Sequence, residues 1–294
     1  MHLTILAFKS LREGEFKVLR GIELGMAKFM YVPVEYLTYF TRWEEERVLK
    51  VLKRLHDLGL VQRRKGAYTG FILTSRGYDC LALNALVKRG VLSSLSLKPL
   101  GIGKESDVYE GLTPNGLTVA VKFHRLGRTS FRATRRYRVY IGDRRHISWL
   151  YQSRLAAERE YEALRILYEA GVSVPKPFSA NRHVVVMSVI QGVPLFEKPP
   201  LEDPKAYLLE IIGNIRRSYE SGIVHGDLSE YNVIVEGEGK VKIIDWPQWV
   251  STSHPEAMNL LKRDLNILLG FFRRRYKVSM DVEEALKRIL GHEG

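Results

Sequence analysis

The chain has 294 residues, 45% of them apolar, one cysteine and a formal net charge of +13. This length and composition allow a buried core and favour two domains, whereas the single Cys80 excludes an internal disulfide and a thiolate metal cluster. No run of eighteen apolar residues occurs and the first ten residues lack a secretory signal, so we expect a cytoplasmic protein, without a membrane partner, whose positive charge attracts nucleic acid.

Three helices are predicted before residue 60. Apolar residues at helical spacing predict a first helix over 15–29, and a proline in the first turn suits a second helix over 33–40. Thr41-x-x-Glu44 has the pattern of a capping box at the start of a third helix, which Gly59 would end in a left-handed conformation. Two strands follow, so this end of the chain is similar to a winged helix.

The third helix and the turn between the two following strands, 60–64 and 71–74, are rich in basic residues. In a winged helix the third helix enters the major groove and the wing contacts the nucleic-acid backbone. The candidate nucleic-acid-binding residues of this domain are Arg47, Lys50, Arg54, Arg63, Arg64 and Lys65. Solvation of a basic face and docking to a protein are the alternatives. We predict a winged-helix domain over 1–84 and a linker over 85–96.

A glycine-containing turn, G-I-G-K-E-S-D, lies between predicted strands at 97–102 and 108–112. Glycine allows backbone N–H groups to approach phosphates without interference from a Cβ atom. The next predicted strand, 117–123, contains V-A-V-K, which is typical of a lysine that binds ATP phosphates, although an edge-strand lysine is the alternative. The candidate nucleotide-binding residues here are Gly101, Gly103, Lys104, Glu105, Ser106, Val108, Ala120 and Lys122.

The connection over 125–154 contains nine arginines and one aspartate, with aromatic residues between them. Arginine and aromatic side chains together contact phosphates and stack on unpaired bases, so the segment is a candidate RNA ligand. Its candidate binding residues are Arg132, Arg135 and Arg136. A solvated loop is the alternative, and ordering upon binding RNA would reconcile the two.

A predicted helix over 154–170 contains Glu158, Glu160 and Glu162, of which Glu160 lies at the margin of the apolar face. A kinase fold places a glutamate beside its phosphate-binding lysine, so we expect Glu160 to pair with Lys122. An apolar strand at 183–187 then leads into a looser segment, 188–192, that is typical of a hinge. The candidate adenine contacts are Met187 and the backbone groups of Ser188 and Ile190.

The most informative polar cluster is H-G-D-L-S-E-Y-N at 225–232, which stands between short β-branched runs. Asp227, Asn232 and Asp245 have the spacing of the kinase residues that accept a proton and hold Mg²⁺. Turn formation and capping would explain each residue alone, but not all three at this spacing. We predict that Asp227 is the general base and that Asn232 and Asp245 are the metal ligands. The predicted catalytic residues are Asp227, Asp245 and Lys122.

The G-x-G-K-E-S-D-V-Y turn, H-G-D-L-S-E-Y-N, I-I-D-W-P-Q and H-P-E-A-x-x-L-L-x-R-D, after a winged helix, closely resemble the atypical RIO kinases that carry such a domain. The resemblance covers nearly the whole chain. It implies an α+β protein in which a winged helix precedes a compact bilobal protein-kinase-like domain over 97–294. The lobes would span 97–187 and 193–294, with the hinge at 188–192 between them. It also implies ATP and Mg²⁺, or Mn²⁺, as cofactors.

The same resemblance implies a function in maturation of the small ribosomal subunit, with the subunit precursor and its rRNA as partners and a protein as a further substrate. Asp227 would be the acid/base residue, Lys122 and Ser106 would contact phosphates, and Asp245 would accept a phosphoryl group. Gly226 departs from the arginine of ordinary kinases. Only 49 residues follow Asp245, and they contain no A-P-E motif, so we expect neither a conventional activation segment nor a peptide-docking subdomain.

Two other functions share part of this pattern. Small-molecule kinases that act on aminoglycosides or choline have similar H-G-D and I-D-W motifs, but the winged helix and S-E-Y-N count against them. A nucleic-acid-binding regulator with an inert kinase fold is the other alternative. It predicts binding to duplex nucleic acid without turnover of ATP.

Overall fold

The computed structural model describes residues 1–66, 68–126 and 149–291. Its amino-terminal part combines helices with a small antiparallel sheet in the order β1-β3-β2. The helices are α1 (His2–Ser10), α2 (Glu13–Gly25), α3 (Val34–Thr41), α4 (Glu45–Asp57) and α5 (Ser75–Lys88). The strands are β1 (Val32–Pro33), β2 (Val61–Lys65) and β3 (Thr69–Leu73). Helices α2 to α4 and the β2–β3 hairpin are the predicted winged helix.

Two details of this domain differ from the sequence expectation. Helix α1 lies before the first predicted helix and packs against α5, where the Cys80 thiol lies 3.8 Å from the carbonyl oxygen of Thr4. The predicted capping box is wrong, because Thr41 is the last residue of α3 and its hydroxyl donates to the Leu37 carbonyl at 2.7 Å. Threonine commonly bonds back into the preceding helical turn in this way. Helix α4 instead follows Glu44, whose side chain makes no capping bond.

A five-stranded antiparallel sheet, in the order β4-β5-β6-β8-β7, forms the smaller lobe of the carboxyl-terminal part. Its strands are β4 (Ser94–Ile102), β5 (Ser106–Leu112), β6 (Thr118–His124), β7 (Pro177–Asn181) and β8 (Val184–Ser188). Val119, Val121 and Phe123 of β6 enter a core shared with α5. Because side chains alternate along a strand, Ala120 and Lys122 face the opposite side, where helix α6 (Trp149–Glu169) packs.

The larger lobe is built from three helices and short strands. The helices are α7 (Pro204–Glu220), α8 (Ala257–Tyr276) and α9 (Val282–Leu290). The strands are β9 (Val193–Pro194), β10 (Ile223–Val224), β11 (Val233–Gly237), β12 (Lys240–Ile243) and β13 (Val250–Ser251), and 3₁₀ turns occur at Leu195–Glu197 and Glu230–Asn232. Strands β10 and β11 flank the polar cluster, and β12 ends two residues before Asp245. The buried strands therefore present these polar residues on the loops that follow them.

The winged helix and the smaller lobe are joined closely. Helix α5 ends at Lys88 and β4 begins at Ser94, so the irregular connection is shorter than the predicted linker over 85–96. Arg182, at the β7–β8 turn, lies 2.8 Å from Glu23 of α2, and Leu150 of α6 belongs to the winged-helix core. No helix among the described residues is long and apolar enough to cross a membrane.

Candidate active site

Three charged side chains, one each from β6, α6 and the end of β12, meet between the lobes. The Lys122 Nζ atom lies 2.6 Å from Glu160 Oε1 and 2.6 Å from Asp245 Oδ1. Lys122 and Glu160 are buried, whereas the Asp245 side chain is 45% exposed. The predicted pair of Lys122 with Glu160 is confirmed, and Glu158 instead pairs with Arg154 at 2.7 Å. The lysine is thus fixed at the base of a cleft from which Asp245 reaches solvent.

Burial and charge act in opposite directions on this cluster. Burial would raise the pKa of Glu160, but Lys122 and His124 outweigh it and lower the pKa to about 2. Burial would likewise lower the pKa of Lys122, but Asp245 and Glu160 raise it above its usual value. Each group therefore favours the charged state of the other, and the pair stays ionised at neutral pH.

His124 completes the support of Glu160. Its Nε2 atom lies 2.7 Å from Glu160 Oε2, so both oxygens of the carboxylate are held. Sequence reasoning missed this residue. The available signal was strand alternation, because His124 follows Lys122 by two positions in β6 and must share its face.

The strand registers bring the other nucleotide-binding candidates to the same cleft. Val108 lies opposite Lys122 in the β5–β6 pair, Gly101 opposite Val108 in the β4–β5 pair, and Ala120 opposite Met187 in the β6–β8 pair. Residues opposite one another in neighbouring strands share a face of the sheet. These five positions therefore form one continuous surface around the lysine.

The turn between β4 and β5 is closed by a hydrogen bond from the Gly103 N–H to the Ser106 carbonyl, 2.7 Å long. Lys104 is exposed in this turn, and the Glu105 carbonyl accepts a backbone N–H from the residue after β6 at 2.6 Å. A Cβ atom at Gly101 would meet none of the described atoms within 4 Å, and neither glycine has a positive φ. Packing within the protein therefore does not require glycine at position 101. A ligand that approaches the backbone closely would require it.

Strand β8 ends at Ser188, where the hinge was predicted. The Ser188 N–H donates to the Lys176 carbonyl at 2.8 Å, and the Ser188 hydroxyl accepts from the Lys176 N–H at 2.9 Å. An adenine contact at Ser188 would therefore use its carbonyl oxygen. Met187 is buried just before this point, and Ile190 is half-buried two residues after it.

The loop between β10 and β11 holds Asp227 and Asn232 in a fixed relation to Asp245. Asn232 Nδ2 donates to the Asp227 carbonyl at 2.9 Å, and the Asn232 carbonyl accepts from the Ile244 N–H at 2.9 Å. Because Nδ2 is committed to a carbonyl, Oδ1 is the atom of the amide that can serve a metal. The Asp227 side chain is 43% exposed, as a base that must reach an acceptor hydroxyl requires.

Gly226 replaces the usual kinase arginine for a steric reason. It has a φ of 77°, and a Cβ atom there would lie 2.8 Å from the carbonyl oxygen of Gln248. A guanidinium reaches the loop from helix α8 instead. Arg263 Nη2 donates to the Gly226 carbonyl and lies 4.0 Å from Asp227 Oδ1.

Asp264, beside Arg263, supports the same loop from within the core. Its Oδ1 atom lies 3.0 Å from Arg263 Nη2. Burial raises the pKa of Asp264. In the sequence, Arg263 and Asp264 belong to the family motif H-P-E-A-x-x-L-L-x-R-D, which gives them no individual role. The signal that could have assigned Asp264 a role is its place on the apolar face of the helix, at helical spacing with Leu261, Leu265 and Leu268.

Asp245 and Asn232 can be tested as metal ligands by their chemistry. They offer carboxylate and amide oxygens, which are the ligands that Mg²⁺ prefers. Asp245 adopts a left-handed backbone with a φ of 67°, which aspartate tolerates. In the described part of the chain, no three His, Cys, Asp or Glu side chains are grouped to hold a metal. The residues therefore fit Mg²⁺ that arrives with a nucleotide, because phosphate oxygens would complete its shell.

The basic residues of the winged helix differ in their contacts. Lys50, Arg63 and Lys65 are exposed on α4 and the wing. Arg54 is held within the domain, because it pairs with Glu15 at 3.0 Å and donates to the Ser10 carbonyl at 2.8 Å. The structure thus gives Arg54 a role in joining α4 to α1 and α2, in place of the predicted contact with nucleic acid.

Two further arginines of this surface lie against aromatic rings. The Arg47 guanidinium is 3.9 Å from the centre of the Trp43 ring. Arg64 is 5.2 Å from the centre of the Tyr31 ring and donates to the Tyr31 hydroxyl at 3.2 Å. These contacts pre-order the two guanidinium groups at the surface. The predicted RNA ligands Arg132, Arg135 and Arg136 lie outside the described residues.

Two family models match separate parts of the chain. A model described as the RIO domain matches residues 107–285, and one described as Rio2, N-terminal, matches residues 8–89. The chain is 41% identical over 259 residues to a RIO-type serine/threonine-protein kinase Rio2 from Methanocaldococcus jannaschii, which covers 86% of this chain and 94% of that protein. It is 36% identical over 283 residues to a serine/threonine-protein kinase rio2 from Schizosaccharomyces pombe, and this match covers 96% of this chain and 82% of that protein.

A solved structure is similar throughout. It is the Rio2 kinase from Chaetomium thermophilum, described as an ADP/Mg²⁺-phosphoaspartate complex. The TM-score is 0.83 at 32% identity, and the match covers 96% of this chain and 88% of that one.

Proposed function

The chain belongs to the RIO family of serine/threonine protein kinases, in the group that carries the Rio2 amino-terminal domain, and from this membership we propose that it uses ATP and Mg²⁺ to form a phosphoryl-enzyme at Asp245. The proposal rests on one observation, that the Lys122 Nζ atom lies 2.6 Å from Glu160 and 2.6 Å from Asp245. A lysine in this position can exchange its contact with Asp245 for one with a nucleotide phosphate. Glu160, buried behind it, would keep it in place.

Each residue of the cleft has a proposed role in nucleotide binding. The backbone of the turn at Gly101 and Gly103, with Ser106, would hold the phosphates, and the hinge at Ser188 and Ile190 would hold adenine. The remaining nucleotide contacts would come from Lys104, Glu105, Val108, Ala120 and Met187. Asn232 and Asp245 would hold Mg²⁺, which when bound would neutralise charge on the phosphate oxygens. Asp227 would accept the proton of an attacking water or hydroxyl group.

The acceptor follows from what surrounds Asp245. Its carboxylate is half-exposed in the cleft, and residues 246–249 lead directly from it into β13, without a long intervening segment. We propose that an oxygen of Asp245 attacks the γ-phosphorus of ATP, that the bond to the ADP oxygen breaks with its electron pair leaving on ADP, and that water then hydrolyses the acyl phosphate. The Rio2 kinase of Chaetomium thermophilum is described with a phosphoaspartate, which supports this order of events.

This proposal is tested by the chemical stability of the enzyme-bound phosphate. After incubation with ATP labelled at the γ-phosphate and an acid quench, we expect label on the protein that hydroxylamine removes, because hydroxylamine cleaves acyl phosphates and leaves phosphoserine intact. We also expect ATP hydrolysis to exceed phosphorylation of added protein. Asp245→Asn is the matched control and should carry no such label. Label that resists hydroxylamine and maps to serine would favour a conventional protein kinase instead.

We propose that residues 1–84 act as the docking domain and 97–294 as the catalytic domain, within a cytoplasmic protein that acts on a small ribosomal subunit precursor. The proposal is supported by the exposed basic groups of α4 and the wing, because Lys50, Arg63 and Lys65 can reach the phosphates of rRNA. Arg47 and Arg64 lie beside them in pre-ordered positions.

The salt dependence of the affinity for RNA tests whether these residues contact phosphates. Each neutralised phosphate contributes roughly 0.9 to the slope of log affinity against log salt concentration on duplex nucleic acid. The double variant Lys50→Ala, Arg63→Ala should therefore bind an rRNA duplex more weakly, with a slope smaller by about 2. Lys205→Ala, an exposed lysine of the larger lobe, should leave the slope unchanged. Equal slopes in all three proteins would remove the wing and α4 from the RNA-binding surface.

A further inference from the structure

A second pair of residues links the two lobes next to the lysine cluster. Arg159, which precedes Glu160 on α6, reaches across to the segment that follows Asp245. Its Nε atom donates to the Pro247 carbonyl at 3.2 Å, and its Nη2 atom donates to the Trp249 carbonyl. The guanidinium also lies 4.7 Å from the centre of the Trp249 ring.

The contact is reciprocal, which makes its geometry specific. The Trp249 indole Nε1 donates back to the Arg159 carbonyl at 3.0 Å. One residue of α6 therefore makes three hydrogen bonds and one stacking contact with residues 247–249. A planar guanidinium that bonds two carbonyls and stacks on an indole fixes both distance and orientation, which a single ion pair does not.

The segment 246–249, which Arg159 holds, is attached to β12 and β10, the two strands that lead to Asp245 and Asp227. It starts at Trp246, whose indole donates to the Ile243 carbonyl at the end of β12, 3.1 Å away. It ends in β13, where Val250 pairs with Val224, the last residue of β10 before the loop of Asp227. Holding 247–249 therefore holds the two strands that carry Asp245 and Asp227.

We infer that Arg159 is a positioning residue that sets α6 against the segment 246–249, so that Glu160 and Asp245 reach Lys122 at the same time. The inference rests on the proposed function of these three residues. Only residues 246–249 join Asp245 to β13, so a contact to this short segment can align Asp245 with α6. Arg159 makes that contact as part of the fold.

The test combines amide hydrogen exchange with ATP turnover in the full chain. Arg159→Ala should speed exchange at residues 246–251 and lower kcat about 10- to 100-fold, the range for residues that orient a metal-binding ligand. It should also raise the Mg²⁺ concentration needed for half-maximal turnover. Arg159→Lys keeps the charge without the planar fork and should fall between wild type and alanine. Arg165→Ala, exposed on the same helix, should match wild type in every measurement.

Trp249→Phe keeps a ring beneath the guanidinium but removes the indole donor, so it tests the contact from the other side. It should also speed exchange at 246–251, and it replaces Arg159→Ala if that variant does not fold. Exchange at 246–251 equal to that of Arg165→Ala overturns the inference, and so does faster exchange with unchanged kcat. If wild type itself hydrolyses no ATP, the proposed function fails, and exchange alone decides whether Arg159 holds the segment.

Discussion

Asp227→Ala is expected to lower ATP turnover roughly 10²- to 10⁴-fold while ATP still binds, because a general base acts on the proton of the nucleophile and not on the nucleotide. The loop supports this separation of roles. Asn232 donates to the backbone carbonyl of Asp227 and accepts from the N–H of Ile244, the residue before Asp245. Neither bond uses the Asp227 side chain, so its loss leaves the metal ligands in place. Turnover is measured by ADP release, and ATP affinity by titration of a fluorescent nucleotide.

The control for this variant is another carboxylate of the same lobe. Glu238, exposed at the β11–β12 turn with 86% of its side chain accessible, should tolerate Glu238→Gln without loss of turnover. Full turnover in Asp227→Ala would show that the base is a different group. An equal loss of ATP affinity would show that Asp227 holds the nucleotide rather than the proton.

Asp79→Asn is expected to cost about 3–5 kcal/mol of unfolding free energy, the range for removing one partner of a buried ion pair. Asp79 lies on α5 and is 2% exposed. Its oxygens lie 2.5 and 2.9 Å from two nitrogens of Arg125, and one lies 2.7 Å from His183 Nε2. Arg125 would keep only its 3.2 Å contact with Asp107 as a charge partner among the described residues. Urea denaturation measures the loss.

The pH dependence of the same variant gives a second check. Burial would raise the pKa of Asp79, but Arg125 and His183 lower it below its usual value. A carboxylate with a depressed folded-state pKa contributes stability above its unfolded pKa of about 4, and that contribution disappears as the pH falls through the folded value. Wild type should therefore lose stability relative to Asp79→Asn below about pH 4. Asp57→Asn, an exposed aspartate at the end of α4, should behave as wild type.

The Asp79 contacts also have a consequence for the cleft. Arg125 follows β6 directly, and its backbone N–H donates to the Glu105 carbonyl in the glycine-containing turn at 2.6 Å. A single residue thus joins the winged helix to the turn proposed to bind phosphates. The winged helix and the smaller lobe are therefore coupled through the buried Asp79–Arg125 ion pair, in addition to the short connection between α5 and β4.

The sequence by itself determined the parts that depend on local pattern. The strand-forming run that contains V-A-V-K placed Lys122 on a strand, and β-branched runs placed Asp227 and Asn232 on a loop between strands. Spacing then related these residues to kinase chemistry, because the reaction needs a lysine, a base and oxygen ligands. The winged helix followed in the same way from helical periodicity and a basic turn. Local misreadings occurred where threonine had two bonding choices, as at Thr41.

Tertiary structure alone decided which distant side chains meet. Three glutamates on one helix were candidates for Lys122, and the packing of α6 against β6 brought Glu160 to 2.6 Å while Glu158 faced Arg154. The same holds for Arg263 beside Asp227 and for Arg159 on the segment after Asp245. Such pairs are separated by many residues in the chain, so no local propensity encodes them. They form because the packing of the apolar faces of helices and strands decides which side chains become neighbours, and a charge that is buried in the process, such as Glu160, needs a partner.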